Sequence, residues 1–121
     1  MKEPLILLAA LAVCAGVADV HVSPRGDDAA DGTASRPVRT LDRARDLAVR
    51  RGGPVVVADG CYELERPLEL GAVHAGLVFA AAPGARPVVS AGRRVRDWSA
   101  DAQGWWHARL PAGTRGSQFY V

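Results

Sequence analysis

One amphipathic segment, followed only by short strands, is the feature that most constrains how this chain can fold. Apolar residues recur in it at spacings of three and four, as on the buried face of an α-helix: Leu41, Ala44, Leu47 and Ala48. Thr40 precedes the segment as a candidate N-cap, and Gly52-Gly53 follows it as a helix-ending signal. No second pattern of this kind follows, so the sequence predicts one helix that caps a β structure.

Short apolar runs punctuated by glycine and proline make up the rest of the chain. Residues 54–58 (PVVVA) form a continuous run, typical of a strand covered on both faces, and residues 76–82 (GLVFAAA) form another. Val56 and Val78, at the centres of these runs, are 22 residues apart, which suits one coil of a solenoid. Further strands are predicted at residues 19–23, 61–64, 67–70, 88–90 and 118–121.

The first residues predict export. Lys2 supplies a positive charge, residues 5–15 are apolar, and small residues stand before Asp19, which is the pattern of a signal peptide over residues 1–18. The apolar run is too short to span a bilayer. Cys14 also fits a bacterial lipoprotein box, but Val13 stands where that motif needs a small residue, so secretion or a periplasmic location is the favoured prediction.

Charge argues against two classes of partner. The net charge is only +2 and the acids and bases are interspersed, so neither nucleic acid nor a membrane, beyond the export signal, is a predicted partner. Lys2 is the one lysine among the basic residues, a usage typical of a GC-rich bacterial genome. No nucleotide-binding glycine motif occurs, and no cofactor is predicted.

Six segments in a fixed order carry a resemblance to a known family: HVSPRGDDAADGT, SRPVRTLDRAR, VVVADGCYEL, PLEL, PGARPVVSAG, and a Trp followed by WWHARLP. Residues 19–121 resemble the N-terminal region of secreted right-handed parallel β-helix proteins with the pectin-lyase-like fold. Cys61 departs from that pattern, which usually has Thr there.

The resemblance implies an all-β, right-handed parallel β-helix. In it, residues 19–53 would be the N-terminal strand, loop and capping helix, and residues 54–121 the first coils of a domain that continues beyond this stretch. The implied function is glycoside hydrolase or polysaccharide lyase chemistry on a polysaccharide or oligosaccharide. The alternative is a non-catalytic cell-surface or carbohydrate-binding scaffold. The rival fold is a βαβ unit of an α/β protein, which needs a second helix after Val57.

No catalytic, cofactor-binding or metal-binding residue is assigned in this stretch, because the family's catalytic acids generally lie on later coils. Asp27, Asp28 and Asp31 could offer oxygen ligands to calcium, but their spacing fits no EF-hand and a solvated turn is the favoured interpretation. A glycosidase needs a pair of carboxylates, and four acids of the first coil could be imagined to supply it: Asp59, Glu63, Glu65 and Glu69. Glu63 and Glu65 would share a strand face, but the acids alternate with apolar residues as a solvated face does, so no catalytic pair is predicted from them.

The remaining polar and aromatic candidates also have plainer interpretations. Three tryptophans could stack on sugar rings, but packing over the edge of the strands, within a hairpin-like excursion, is favoured: Trp98, Trp105 and Trp106. Three histidines are too scattered in the sequence for a metal site: His21, His74 and His107. Cys61, alone once residues 1–18 are removed, is expected to be a small buried apolar residue rather than a reactive thiol.

Overall fold

A computed structural model describes residues 18–114. The regular elements of the described chain are mostly short strands, with one α-helix. The strands are β1 (Val20–Val22), β2 (Val55–Val57), β3 (Cys61–Glu63), β4 (Phe79–Ala81), β5 (Val88–Ser90), β6 (Ser99–Ala100) and β7 (Trp106–His107), and the helix is α1 (Leu41–Arg51). A single 3₁₀ turn, Ala72–His74, lies between β3 and β4. Residues 1–17 of the predicted signal peptide, with Cys14 among them, and the predicted strand at residues 118–121 lie outside the described residues.

The strands pair in parallel in two separate sheets. The first sheet has the order β1-β2-β4, and the second pairs β3 with β5. After β2 the chain crosses into the second sheet as β3 and then returns to the first sheet as β4, beside β2. One circuit from sheet to sheet and back is therefore completed within the described residues.

The first part of the rival α/β interpretation agrees with the structure, but the second part does not. β1, α1 and β2 do form a strand-helix-strand unit, because the two strands that flank the helix pair in parallel. The connection from β2 to β4, however, contains strand β3 and only a single 3₁₀ turn within residues 18–114. The helical layer that an α/β fold needs is not continued there, and the all-β class with one helix holds.

Helix α1 forms where its sequence signals predict. The Thr40 hydroxyl accepts a hydrogen bond from the Arg43 N–H at 3.2 Å, and Gly52 ends the helix in the left-handed conformation with φ 73°. The predicted apolar stripe is the buried face of the helix: Leu41, Ala44, Leu47 and Ala48. On the helix surface, Arg45 forms ion pairs with Asp42 at 3.0 Å and with Asp46 at 2.8 Å.

The core lies between α1 and the first sheet. Three inward columns of side chains run across the paired strands in register: Val20–Val55–Phe79, Val22–Val57–Ala81 and Tyr62–Val89. Val20 and Val55 are fully buried, and the helix stripe packs with them in one cluster. Gly26 shows how closely the backbones meet, because a Cβ there would lie 2.3 Å from the Val38 carbonyl oxygen.

Several predicted details are wrong. Val55 pairs with Phe79, so one coil takes 24 residues, and Val78 stands just before β4 instead of at a strand centre. Residues 67–70 form no strand, although Leu68 packs against the core. Val56 is only half-buried, so β2 is covered well on one face, not on both. The predictions failed because an apolar run shows that residues can be buried, but not which of them face inward.

Among residues 18–114, none of the helical segments has the length and apolar character needed to cross a membrane.

Candidate functional site

The Asp28 carboxylate organises the loop between β1 and α1. Its Oδ1 accepts hydrogen bonds from the N–H groups of Arg39 and Thr40, each at 2.8 Å, and its Oδ2 accepts one from the Thr40 hydroxyl at 2.8 Å. Partial burial pushes the pKa of Asp28 upward, but the bonds from Thr40 and Arg39 outweigh it and hold the pKa below its usual range. Asp28 therefore fixes the helix N-cap in place through an anchored carboxylate.

The other loop aspartates bond within their own turns. Asp27 accepts from the Ala29 N–H at 2.9 Å, and Asp31 accepts from the N–H and the hydroxyl of Thr33. The Thr33 bonds hold the pKa of the Asp31 carboxyl below its usual range. The three acids that were considered for calcium are thus used by the loop itself, and no cluster of three or more His, Cys, Asp or Glu residues suited to a metal occurs within residues 18–114.

A polar cleft of about 600 Å³ lies between this loop and strand β3. Its walls carry charged groups of both signs, including Arg39, Asp42, Glu63 and Arg66. Cys61 also lines the cleft; it is half-buried and a free thiol. The cleft offers hydrogen-bonding groups to a polar ligand, but Asp28 on its wall is already occupied by Thr40 and Arg39.

The acids considered as a glycosidase pair contact other groups. Glu63 lies 3.8 Å from Arg94, and Glu65 lies 3.6 Å from Arg93, which follows the neighbouring strand β5. Asp59 accepts a hydrogen bond from the Arg86 N–H at 2.8 Å, so it ties together the turns of successive coils. These contacts are on the surface, where ion pairs contribute little to stability. They give these acids structural roles in the coil.

Tyr62 has a role that the sequence did not reveal. Its ring is 6% exposed, and its hydroxyl donates to carbonyl oxygens of Val22 (3.1 Å) and Ala58 (2.9 Å). Burial raises the pKa of this hydroxyl, although the bond to Ala58 partly opposes the effect. Tyr62 thereby joins the second sheet to the first at the end of β1. The string DG-x-Y marks the residue, but no spacing in the sequence points to its partner 40 residues away.

Strands β6 and β7 form the predicted hairpin, but their tryptophans are exposed. Trp98, Trp105 and Trp106 are 55%, 70% and 67% exposed, so the favoured prediction, that they pack over the strand edge, does not hold in the described structure. Ala100 lies opposite Trp106, whereas the Asp101 N–H donates to the Trp105 carbonyl oxygen. Because neighbouring strand residues point to opposite faces, Trp105 and Trp106 are on different faces of the hairpin.

Asp101 and His107 meet on the Trp105 face. The His107 Nε2 atom lies 2.6 Å from the Asp101 carboxylate, which also accepts bonds from the N–H groups of Gln103 and Trp105. The bond to His107, followed by that to Trp105, holds the pKa of the Asp101 carboxyl below its usual range. The other two histidines are elsewhere, His21 within β1 and His74 bonded to the Gly71 N–H, so the histidines do not converge.

Comparison with known proteins gives one informative match. No family model matches the chain, and no curated protein matches it. A solved structure described as "Glycoside hydrolase" superposes with a TM-score of 0.71 and 26% sequence identity. The match covers 78% of this chain but only 18% of that protein, so this chain spans a small part of its length. The chain is therefore similar to one segment of a carbohydrate-active protein.

Proposed function

We propose that this chain is the N-terminal cap and first coil of a right-handed parallel β-helix in an exported carbohydrate-active protein. The observation that carries the proposal is a gradient of burial along the inward columns. Val20 and Val55 are fully buried, whereas Phe79, next in the same column, is only half-buried. In the neighbouring column, Val57 is 5% exposed and Ala81, beside it, is exposed.

The second sheet repeats the gradient. Tyr62 is 6% exposed, whereas Val89, its partner in register, is 54% exposed. Helix α1 covers the β1 end of the stack, and no described element covers the β4 and β5 end. Inward-facing apolar residues at an uncovered end need a further layer to remove them from water. A following coil, paired in parallel with β4 and β5, supplies that layer.

Chain connectivity supports the handedness. Successive strands of each sheet pair in parallel, so each coil is a crossover connection. Parallel crossovers are right-handed in about 98% of cases. Coil spacings of 24 residues in the first sheet, from Val55 to Phe79, and 27 in the second, from Cys61 to Val88, fall in the range of solenoid repeats.

The activity proposed for the whole protein is glycoside hydrolysis or polysaccharide lyase chemistry, with the catalytic residues on coils beyond this stretch. Its support is the structural similarity to a segment of a glycoside hydrolase. Residues 1–18 supply the export signal in this proposal. The substrate is a polysaccharide or an oligosaccharide.

Assays on a panel of polysaccharides test this proposal. Release of reducing sugar measures hydrolysis, and the absorbance of unsaturated products measures lyase activity. We expect turnover by the complete protein and none by this chain alone. Turnover by this chain would place catalytic residues inside it and contradict the proposal. Absence of turnover and of polysaccharide binding by the complete protein would remove the carbohydrate function altogether.

A second candidate is a non-catalytic carbohydrate-binding scaffold on the cell surface. The observation in its favour is that Asp28, Asp59, Glu63 and Glu65 all have structural partners in the described chain. Fold alone does not decide between the two candidates. Polysaccharide binding without turnover by the complete protein would favour the scaffold, whereas turnover abolished by replacing a carboxylate on a later coil would favour the enzyme.

A further inference from the structure

One face of the β6–β7 hairpin combines an exposed aromatic ring with polar side chains. Asp101 and Trp105 close the hairpin loop, because the Asp101 N–H donates to the Trp105 carbonyl oxygen at 2.9 Å. Ser99 and His107 pair in register, two residues further along on each side. Residues two apart on a strand point to the same face, so these four side chains share one face. Trp105, at 70% exposed, is the most exposed of the three tryptophans.

The hairpin loop holds the polar groups of this face in place. One Asp101 carboxylate oxygen, Oδ1, accepts hydrogen bonds from the N–H groups of Gln103 and Trp105, each at 2.9 Å. The other, Oδ2, lies 2.6 Å from the His107 Nε2 atom. Because an ionised carboxylate only accepts, Nε2 carries the proton of the neutral His107 ring, and Nδ1 is an acceptor. No hydrogen bond from residues 18–114 reaches Nδ1, and Oδ2 has capacity for a second bond.

This combination of groups suits a sugar. A sugar ring has an apolar side of C–H groups that packs on an indole, and hydroxyls at its rim that donate to acceptors such as Nδ1 and Oδ2. The face presents one aromatic ring among polar side chains, whereas a stable protein interface buries about 800 Å² on each partner. From residue 99 to residue 107, Asp101 is the one formally charged side chain. Its negative charge repels an acidic sugar and accepts an uncharged one.

We propose that Trp105, with Asp101 and His107 beside it, is a binding site for an uncharged sugar ring of a polysaccharide. The site presupposes the carbohydrate function proposed above, and adds to it a ligand class and a position in the fold. It serves an enzyme and a non-catalytic scaffold equally, because it holds the polysaccharide and performs no chemistry on it. Trp106 lies on the other face, opposite Ala100, and is outside the site.

Affinity electrophoresis of the complete protein tests this site. Native gels cast with soluble arabinoxylan, β-glucan or galactan present uncharged chains, polygalacturonate presents an acidic one, and gels without polysaccharide give the reference mobility. Trp105→Ala should weaken binding to the preferred uncharged chain by about tenfold, because one stacked ring face returns to water. Trp105→Phe, which keeps an aromatic face, should restore most of the affinity. The matched control is Trp106→Ala, which removes a similarly exposed tryptophan from the opposite face and should leave the affinity unchanged.

A second variant tests the polar half of the site. His107→Leu removes the Nδ1 acceptor, and we expect binding about fivefold weaker, the effect of one lost hydrogen bond. Thermal unfolding of each variant provides the control for folding. Trp105→Ala should unfold at the same temperature as the unaltered protein, because the ring that it removes is exposed.

Several outcomes would overturn the site and leave the proposed function standing. They are equal affinities of the unaltered protein and Trp105→Ala, equal weakening by Trp105→Ala and Trp106→Ala, stronger retardation by polygalacturonate than by the uncharged chains, and no retardation of a protein that still cleaves polysaccharide. A lower unfolding temperature of Trp105→Ala with unchanged affinity would show that another part of the complete protein covers the ring, and would also contradict the site. Absence of both retardation and turnover would remove the site and the proposed function together.

Discussion

The two ends of the strand stack are built from the same residue types but differ in what covers them. At the β1 end, helix α1 and its loop lie over the valines, and Val20 and Val55 are fully buried. At the β5 end, Val89 occupies an equivalent inward position and is 54% exposed. The difference teaches that burial in this molecule is set by the position of a residue along the stack, because the side chain is the same at both ends.

The hydrogen bonds of polar side chains also differ between the two ends of the stack. At the covered end, Asp28 accepts from groups 11 and 12 residues away in the sequence, and Tyr62 donates to Val22, 40 residues away, as well as to nearby Ala58. At the open end, Asp101 bonds to groups no more than six residues away, and all of its contacts are exposed. Long-range bonds at partly buried positions hold the fold together, whereas the local bonds shape one hairpin.

The largest expected effect comes from placing a charge at the covered end. Val55→Asp buries a carboxylate with no partner, and we expect it to cost more than about 4 kcal/mol, enough to unfold a small domain. Val89→Asp is the matched change at the open end and should alter stability by less than about 0.5 kcal/mol, because water reaches that site. Urea unfolding of this chain measures both changes in the free energy of unfolding. Equal losses of stability in the two variants would contradict the proposed difference between the ends.

Removing the loop carboxylate should have the next largest effect. Asp28→Ala takes away the acceptor for two N–H groups and one hydroxyl, and we expect a loss of about 2–3 kcal/mol in the free energy of unfolding. Asp101→Ala, its counterpart on the hairpin, should leave that free energy almost unchanged, because its hydrogen bonds are local and exposed. A larger loss from Asp101→Ala would show that the hairpin is integral to the cooperative unit.

The pH dependence of stability sharpens the same comparison. The pKa of Asp28 is lower in the folded chain than its usual value, so its stabilising effect is fully present above the unfolded pKa of about 3.9 and is lost as the pH falls through the folded value. The stability difference between the unaltered chain and Asp28→Ala should therefore shrink between about pH 5 and the folded pKa of Asp28. A difference that stays constant down to pH 2 would show that the carboxylate charge is not the source.

A smaller effect is expected from the tyrosine hydroxyl that joins the two sheets. Tyr62→Phe keeps the ring but removes the bonds to Val22 and Ala58, and should cost about 1–1.5 kcal/mol by thermal or urea unfolding. Trp98→Phe removes the local bond to the Val95 carbonyl at an exposed site, and we expect almost no change. If both substitutions were neutral, the hydroxyl would not link the sheets energetically.

The smallest effect should come from the surface pair that links successive coils. Arg94→Gln breaks a 3.8 Å contact with Glu63 between half-exposed groups, and we expect less than about 0.5 kcal/mol. Double-mutant cycles with Glu63→Gln would measure the coupling. A coupling above about 1 kcal/mol would mean that these ion pairs, and not the apolar columns, hold neighbouring coils together.

The success of prediction depended on how far apart the interacting groups are in the sequence. The buried stripe of α1, its Thr40 cap and its Gly52 terminus were all predicted correctly, since helix signals act within about four residues. The hairpin was also predicted. The coil length was two residues short because residues 67–78 contain a 3₁₀ turn and no strand, which apolar runs alone do not distinguish.

The candidate site was less predictable from sequence. Asp28 was grouped with Asp27 and Asp31 as a solvated turn, and only the folded loop shows that one of the three reaches Arg39 and Thr40. The exposure of the tryptophans was also missed, since an aromatic cluster in a sequence does not show what lies over it.

The sequence by itself determined the single helix, its ends and its apolar face, because hydrogen bonding and periodicity within one or two turns decide them. It also determined that short strands would follow the helix, because glycine and proline residues mark the turns between the apolar runs. Only the tertiary structure decided which valines are closed off from water, which aspartate anchors the loop, and where Tyr62 bonds. Those outcomes depend on chain segments that meet across 11 to 40 residues, and no local pattern encodes such meetings.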